Sequence, residues 1–300
     1  ALANHPAADK FKKLLLTDKR LNLWLIDLDY PTPKKIDTDR FEAADFHAAW
    51  SPDSRFVAYT KQLPNFFHAV FIYSLTEQVS RQVTDGQSEA FAPGFDRSGK
   101  YLWFLASTDV GVAQTGGMAA YGRPVTSSLY AMVLKKTLPS PMAPESDEEG
   151  EPKEKKEPRP AAANEAASDQ AAAPKAVPPV TIDFAGLDQR IVAVPVDRAR
   201  YVGLEVGTEG VVFLTVAPLA FSDEDYVAGR EERPPLDVLR FDLKPRKAKG
   251  FIEKIDSGGG GLQTFVVSAD GKRVLYAKGK KWFLAPADKG CRILLPSTGE

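Results

Sequence analysis

One segment recurs along this chain, and a repeat of its length restricts the fold more than any other feature. Trp50-Ser-Pro-Asp-Ser-Arg-Phe-Val-Ala-Tyr59 aligns with Phe95-Asp-Arg-Ser-Gly-Lys-Tyr-Leu-Trp-Phe104 at an offset of 45 residues. Each copy runs from an aromatic residue through a turn and a basic residue into an apolar strand. Ser268-Ala-Asp-Gly-Lys-Arg-Val-Leu-Tyr276 is a third copy, and Lys12-Lys-Leu-Leu-Leu16 reads as the strand of another whose beginning has been cut away. Asp with Gly or Ser makes the tight turn because these residues bond their own backbone or accept the unusual dihedral angles required there.

The rest of the unit follows the same grammar. A second apolar run comes shortly after each turn, at residues 23–28, 70–75, 129–134 and 238–243, and reads as the next strand outward. A polar strand ending in a turn closes the unit, most clearly in Gln78-Val-Ser-Arg-Gln-Val-Thr-Asp-Gly86. No long segment carries apolar residues at helical spacing. Units of this length with about four short antiparallel strands are propeller blades. A lone blade cannot bury both of its faces, so neighbours must stack around an axis. Trp50, Tyr59, Phe95 and Phe104 are therefore expected to pack between blades. Four units are marked directly, and weaker strands imply one or two more. The expected class is all-β, a β-propeller of four-stranded antiparallel blades with a disordered insertion.

The insertion lies between Pro139 and Pro179, where Pro, Ala, Glu and Lys dominate. Its mixed-sign run Glu145-Ser-Asp-Glu-Glu-Gly-Glu-Pro-Lys-Glu-Lys-Lys-Glu-Pro-Arg159 is broken by proline, which favours a solvated excursion over an acidic recognition tail. The β pattern resumes at Gln189-Arg-Ile-Val-Ala-Val-Pro195 and at residues 210–216. The division is thus blades over 1–138 with the first truncated, insertion over 139–179, and further blades over 180–300. Residues 221–235 read as a long inter-strand loop whose Asp223, Glu224 and Asp225 are rim charges.

Chemistry is sparse by comparison. A net charge of -1 provides no basic face for phosphates. Apolar runs such as 14–16 and 211–216 fall far short of the roughly 20 residues needed to cross a bilayer. Cys291 is the single cysteine, so no internal disulfide forms. There is no Gly-x-Ser-x-Gly elbow and no His-Glu-x-x-His pair. His5, His47 and His68 are scattered singly, and the latter two read as hydrogen-bonding residues at blade edges. Ser257-Gly-Gly-Gly-Gly261 lacks the following Lys-Ser/Thr and helix of a phosphate loop and reads as a flexible turn. No residue emerges as catalytic, cofactor-binding or metal-ligating, and no cofactor is expected.

Ala49-Trp-Ser-Pro-Asp-Ser-Arg-Phe-Val-Ala-Tyr59, Phe71-Ile-Tyr-Ser-Leu75, Gln82-Val-Thr-Asp-Gly86 and Phe95-Asp-Arg-Ser-Gly-Lys-Tyr-Leu-Trp-Phe-Leu105 together resemble the propeller of bacterial tricorn proteases. Thr17-Asp-Lys-Arg-Leu-Asn-Leu-Trp24 and Leu138-Pro-Ser-Pro-Met-Ala-Pro-Glu-Ser-Asp-Glu-Glu149 are similar to the same family. Trp-Ser-Pro-Asp also occurs in TolB-like propellers and in the propellers of prolyl oligopeptidases. The resemblance implies most of a second, seven-bladed ring, set before a PDZ domain and the halves of a serine-peptidase core. It implies that the axial channel guides or gates oligopeptides toward a catalytic region C-terminal to this chain. The implied parent is a hexameric serine peptidase that cleaves peptides through an acyl-serine intermediate. It implies a cytoplasmic location, with the periplasm as the alternative. The competing readings are a TolB-like protein-binding module and the propeller lid of a prolyl oligopeptidase.

Overall fold

A computed structural model of the chain describes residues 12–40, 46–108, 125–144, 179–219, 234–258, 263–289 and 293–294. They form five antiparallel sheets, each built from strands consecutive in sequence. Blade 1 has three described strands: β1 (Lys13–Thr17), β2 (Asn22–Asp27) and β3 (Lys34–Thr38). Blade 2 has four, namely β4 (Ala49–Trp50), β5 (Phe56–Gln62), β6 (His68–Ser74) and β7 (Val79–Gln82). Blade 3 comprises β8 (Glu89–Phe95), β9 (Tyr101–Ser107), β10 (Ser128–Val133) and β11 (Ile191–Ala193). Blade 4 comprises β12 (Arg200–Val206), β13 (Val211–Ala217), β14 (Leu236–Asp242) and β15 (Lys247–Ile255). Blade 5 comprises β16 (Phe265–Val267), β17 (Arg273–Lys278), β18 (Lys281–Pro286) and β19 (Ile293–Leu294). The helical content among the described residues is one 3-10 turn at Asp188–Arg190.

Strand alternation explains how five sheets share one core. Successive side chains of a strand point to opposite faces, so the second strand of a blade feeds two interfaces at once. In β5, Val57 and Tyr59 pack toward blade 1 with Leu15, Leu23 and Trp50. Ala58, between them, faces blade 3 with Phe95, Leu102 and Phe104. In β9, Leu102, Phe104 and Ala106 close the seam to blade 2, while Trp103 and Leu105 close the seam to blade 4 with Val212, Leu214 and Phe241. In β13, Val212 and Leu214 face blade 3, and Val211 and Phe213 face blade 5 with Phe265, Val274 and Tyr276. Burial on both faces is why these strands read as unbroken apolar runs. The four aromatics expected between blades, Trp50, Tyr59, Phe95 and Phe104, are all buried there.

Blade 3 is one sheet despite the long interval within it. Tyr130 of β10 pairs with Ala193 of β11, so the chain leaves and returns to the same blade. Residues 145–178, the bulk of the expected insertion, lie outside the described residues. Its two roots are anchored on neighbouring blades. On the way out, Met142 is half-buried and the Ala143 carbonyl accepts from Arg246 of blade 4 at 2.6 Å. On the way back, the Val180 N–H donates to Asp53 of blade 2 at 2.7 Å, and its carbonyl accepts from Arg55. Arg190 then fastens the returning segment by donating to the carbonyls of Val133, Ala185 and Gly186 at 3.0–3.1 Å. Met142 thus packs against the seam between blades 3 and 4, while Val180, Ile182, Phe184 and Leu187 cover the seam between blades 2 and 3.

Candidate functional site at the inner turns

The first strands of neighbouring blades touch in the order β4, β8, β12, β16, as strands converging on a common axis must. Each leads into a tight turn, and the turns of blades 3, 4 and 5 meet one another along one rim.

In blade 2, the Ser54 N–H donates to the Ser51 carbonyl at 2.9 Å. Ser51 Oγ donates to Asp53 at 2.8 Å and accepts from the Phe56 N–H at 3.0 Å. Blade 5 repeats this: Ser268 Oγ donates to Asp270 at 2.6 Å and accepts from the Arg273 N–H at 2.9 Å. The fourth turn residue is left-handed in each, with φ of 58° at Ser54, 69° at Gly99 and 70° at Gly271. Burial pushes the Asp53 carboxyl up, but the donors from Val180, Ser51 and Arg55 outweigh it and hold the group below the usual carboxylate range. Asp270 is likewise held low, chiefly by Ser268.

Blade 3 exchanges the two positions, with Asp96 standing where Ser51 stands and Ser98 where Asp53 stands. Asp96 is fully buried. It accepts from Ser98 N–H at 2.9 Å, from Ser98 Oγ, from Trp103 Nε1 at 3.2 Å, and from the Gly210 N–H of blade 4 at 2.8 Å. The carboxylate therefore ties its own turn, its own core tryptophan and the next blade together.

Arg97 occupies the position held by Pro52 and Ala269 in the other copies, and it reaches further. Its Nε donates to the Gly207 carbonyl of blade 4 at 3.2 Å, and its Nη2 to the Ser268 carbonyl of blade 5 at 3.4 Å. One side chain thus clasps three consecutive blades. Below it on β12 is Glu205, in register opposite Phe213. Burial raises this carboxyl to about 7, and Arg97 partly opposes the rise. Burial pulls Arg97 down, while Asp270, Glu205 and Asp96 act the other way. The turn of blade 5 also lies against the turn of blade 4 at Gly271 and Gly207.

The singled-out histidines fall elsewhere. His68 Nδ1 lies 2.6 Å from Glu89 Oε1, and Glu89 Oε2 accepts from the His68 N–H at 2.8 Å, which links blades 2 and 3 at a strand edge. His47 lies just ahead of β4 in the left-handed region, with φ of 40°. His5, Cys291, Asp223, Glu224, Asp225 and residues 259–261 lie outside the described residues. Among the described residues, no group of three His, Cys, Asp or Glu is placed to hold a metal ion, and no helix is long and apolar enough to cross a membrane.

Sequence reading missed the rim cluster of Arg97, Glu205 and Asp270, and also the turn of blade 4. That turn, Gly207-Thr-Glu-Gly210, is a shortened copy closed by the Val211 N–H donating to Thr208. The available signal was Arg97 itself, a charge at a turn position where the aligned copies have Pro and Ala.

Consecutive four-stranded sheets, seams formed by alternate residues and turns interlocked at the inner rim define a propeller domain. The chain belongs to the tricorn protease second beta propeller domain family, whose profile matches residues 2–288. It is 25% identical over 254 residues to tricorn protease homolog 1 of Streptomyces coelicolor, covering 84% of this chain and 22% of that protein. It is 24% identical over 273 residues to the tricorn protease of Thermoplasma volcanium, covering 89% of this chain and 23% of that protein. The crystal structure of the tricorn protease superposes with a TM-score of 0.67 at 17% identity, over 96% of this chain and 25% of that one. A puromycin-hydrolyzing peptidase of Mycobacterium tuberculosis superposes with a TM-score of 0.51 at 9% identity, over 95% of this chain and 37% of that one. At these identities the structural likenesses speak to the fold. The chain spans about a quarter of the length of its tricorn relatives.

Proposed function

We propose that this propeller forms the wall of a passage that guides oligopeptides to a catalytic region lying C-terminal to it in a longer serine peptidase. The observation that carries the reading is the family match over residues 2–288. The rim supports it physically. A passage can select by size only if its aperture keeps its dimensions, and the Asp96 and Arg97 bonds tie blades 3, 4 and 5 together at the inner turns. The parent's own PDZ and peptidase domains are then the intramolecular partners, oligopeptides the substrates, and a hexamer the assembly.

Val202 supplies the test. It sits on the inner strand β12, at the register shift between Tyr201 and Gly203, and is 42% exposed. In the intact parent enzyme, Val202→Arg is expected to lower kcat/KM for longer oligopeptides about tenfold, a barrier of about 1.4 kcal/mol. Dipeptidyl-sized substrates, which need less of the passage, should stay within about twofold. Equal effects on long and short substrates, or no effect on either, count against a guiding role.

A further inference from the structure

We propose that the outer edge of blade 4 is a docking surface for an acidic polypeptide segment, and that its occupant is the run at residues 145–151 of this same chain. The inference does not rest on the peptide-guiding reading, since it concerns the outside of the wall and not the passage.

The strand β15 is the last of its sheet and is hydrogen-bonded to β14 alone, so its outer edge is unpaired. The turn into it and its first residues read Lys244-Pro-Arg-Lys-Ala-Lys249, four cations without an acid, a local surplus that the net charge of -1 conceals. Lys244, Lys247 and Lys249 are exposed, and their ammonium groups form no ion pair among the described residues. The acid nearest them in the ladder, Asp242 opposite Lys247, already accepts from the Lys244 N–H at 3.1 Å and lies 3.3 Å from Arg240. Arg240 stands opposite Lys249, and its Nε is buried with no acceptor among the described residues. Lysines on an outer edge serve in many sheets to keep other strands away. That role accounts for the lysines but not for a buried guanidinium N–H left without an acceptor beside them, and both features call for negative charge.

The chain carries matching charge at this place. Residues 145–151 hold five acids and no cation, and the mixed signs that follow begin at Lys153. The run starts beside the surface: the Ala143 carbonyl accepts from Arg246 at 2.6 Å, and Met142 packs against the seam between blades 3 and 4. Glu145 is therefore two residues from an anchored carbonyl, and seven residues of extended chain reach about 24 Å, enough to pass Lys247 and Lys249. A tethered segment meets the surface at millimolar effective concentration, which an untethered acidic partner would have to exceed. Each exposed ion pair favours contact by only about twofold, so four acting together favour the docked run by about tenfold.

Carbodiimide cross-linking of the intact parent protein joins a carboxylate to an ammonium where the two touch, and mass spectrometry locates the joins. Mixing isotopically labelled with unlabelled protein separates joins within a chain from joins between chains. The Lys61–Asp37 pair, 2.7 Å apart between blades 1 and 2, is the internal reference. At about 0.01 M salt, acids of residues 145–151 should join Lys244, Lys247 and Lys249 within one chain. At about 1 M salt, where the screening length drops from about 30 Å to about 3 Å, the yield relative to the reference should fall about tenfold. Glu148→Gln combined with Glu149→Gln should lower the joins made by Glu145 and Glu151 about fourfold, because the run is held as a unit. Absence of these joins overturns the proposal. Joins that persist at high salt, or that Glu145 and Glu151 make undiminished in the double variant, show nearness along the chain without docking and overturn it too. Joins formed mainly between chains overturn the assignment of the run to its own surface.

Discussion

Replacing Asp96 by alanine is expected to destabilise the protein by about 4 kcal/mol, among the largest effects of any single polar substitution in this chain. Hydrogen bonds to a charged acceptor each contribute about 1.5–3 kcal/mol, and a buried donor left without a partner costs its desolvation as well. Asp96 accepts from four donors. Two of them, Trp103 Nε1 and the Gly210 N–H, have their hydrogen bonds in a buried setting where water cannot replace the carboxylate. Because Gly210 immediately precedes the second strand of blade 4, the damage should spread over the seam between blades 3 and 4. Urea unfolding followed by far-UV circular dichroism measures the loss, and exchange at residues 207–214 locates it. Asp53→Ala offers the contrast: its bonds from Ser51 Oγ, Arg55 and the Val180 N–H are part-buried or exposed, where water can replace the carboxylate, and about 1–2 kcal/mol is expected. A loss below about 1 kcal/mol for Asp96→Ala contradicts its role as the tie between these blades.

Gly271→Ala is expected to cost about 3 kcal/mol or more, against about 1 kcal/mol for Gly279→Ala. Both glycines are left-handed, with φ of 70° and 59°, so both substitutions carry the same backbone penalty. The surroundings differ. A Cβ on Gly271 would lie 2.5 Å from the carbonyl carbon and oxygen of Gly207 and 2.6 Å from the Thr208 nitrogen, whereas nothing lies within 4 Å at Gly279. Backbone cannot swing aside as a flexible side chain can, so blade 5 must shift relative to blade 4. The difference in midpoint between the two variants isolates the contact between turns from the dihedral cost. Similar losses in both would mean that the turns do not bear on each other.

Much of the architecture was legible because its causes are local. The Ser-x-Asp-Gly turn reports itself through residue types that bond their own backbone, as at Ser268 and Asp270. Burial on both faces leaves unbroken apolar runs such as those of β9 and β13. Blade 4 shows where local causes end. Its turn is closed by Gly207 and Gly210 without a side-chain bond of its own, and its missing carboxylate is supplied by Asp96, 114 residues earlier. The rim cluster was illegible for the same reason. Arg97, Glu205 and Asp270 are far apart along the chain, and each taken alone is an ordinary charged residue.

The sequence by itself determined the repeat unit, the strand order within each blade and the side chains that fill the seams, because turn chemistry and period-two alternation act between residues close in the chain. Only the tertiary structure decided which charges meet at the inner rim, that Arg97 reaches across two blades, and that both roots of the insertion are held by its neighbours. Those contacts depend on the angle at which successive sheets stack, a property set by how whole faces pack and written in no single segment.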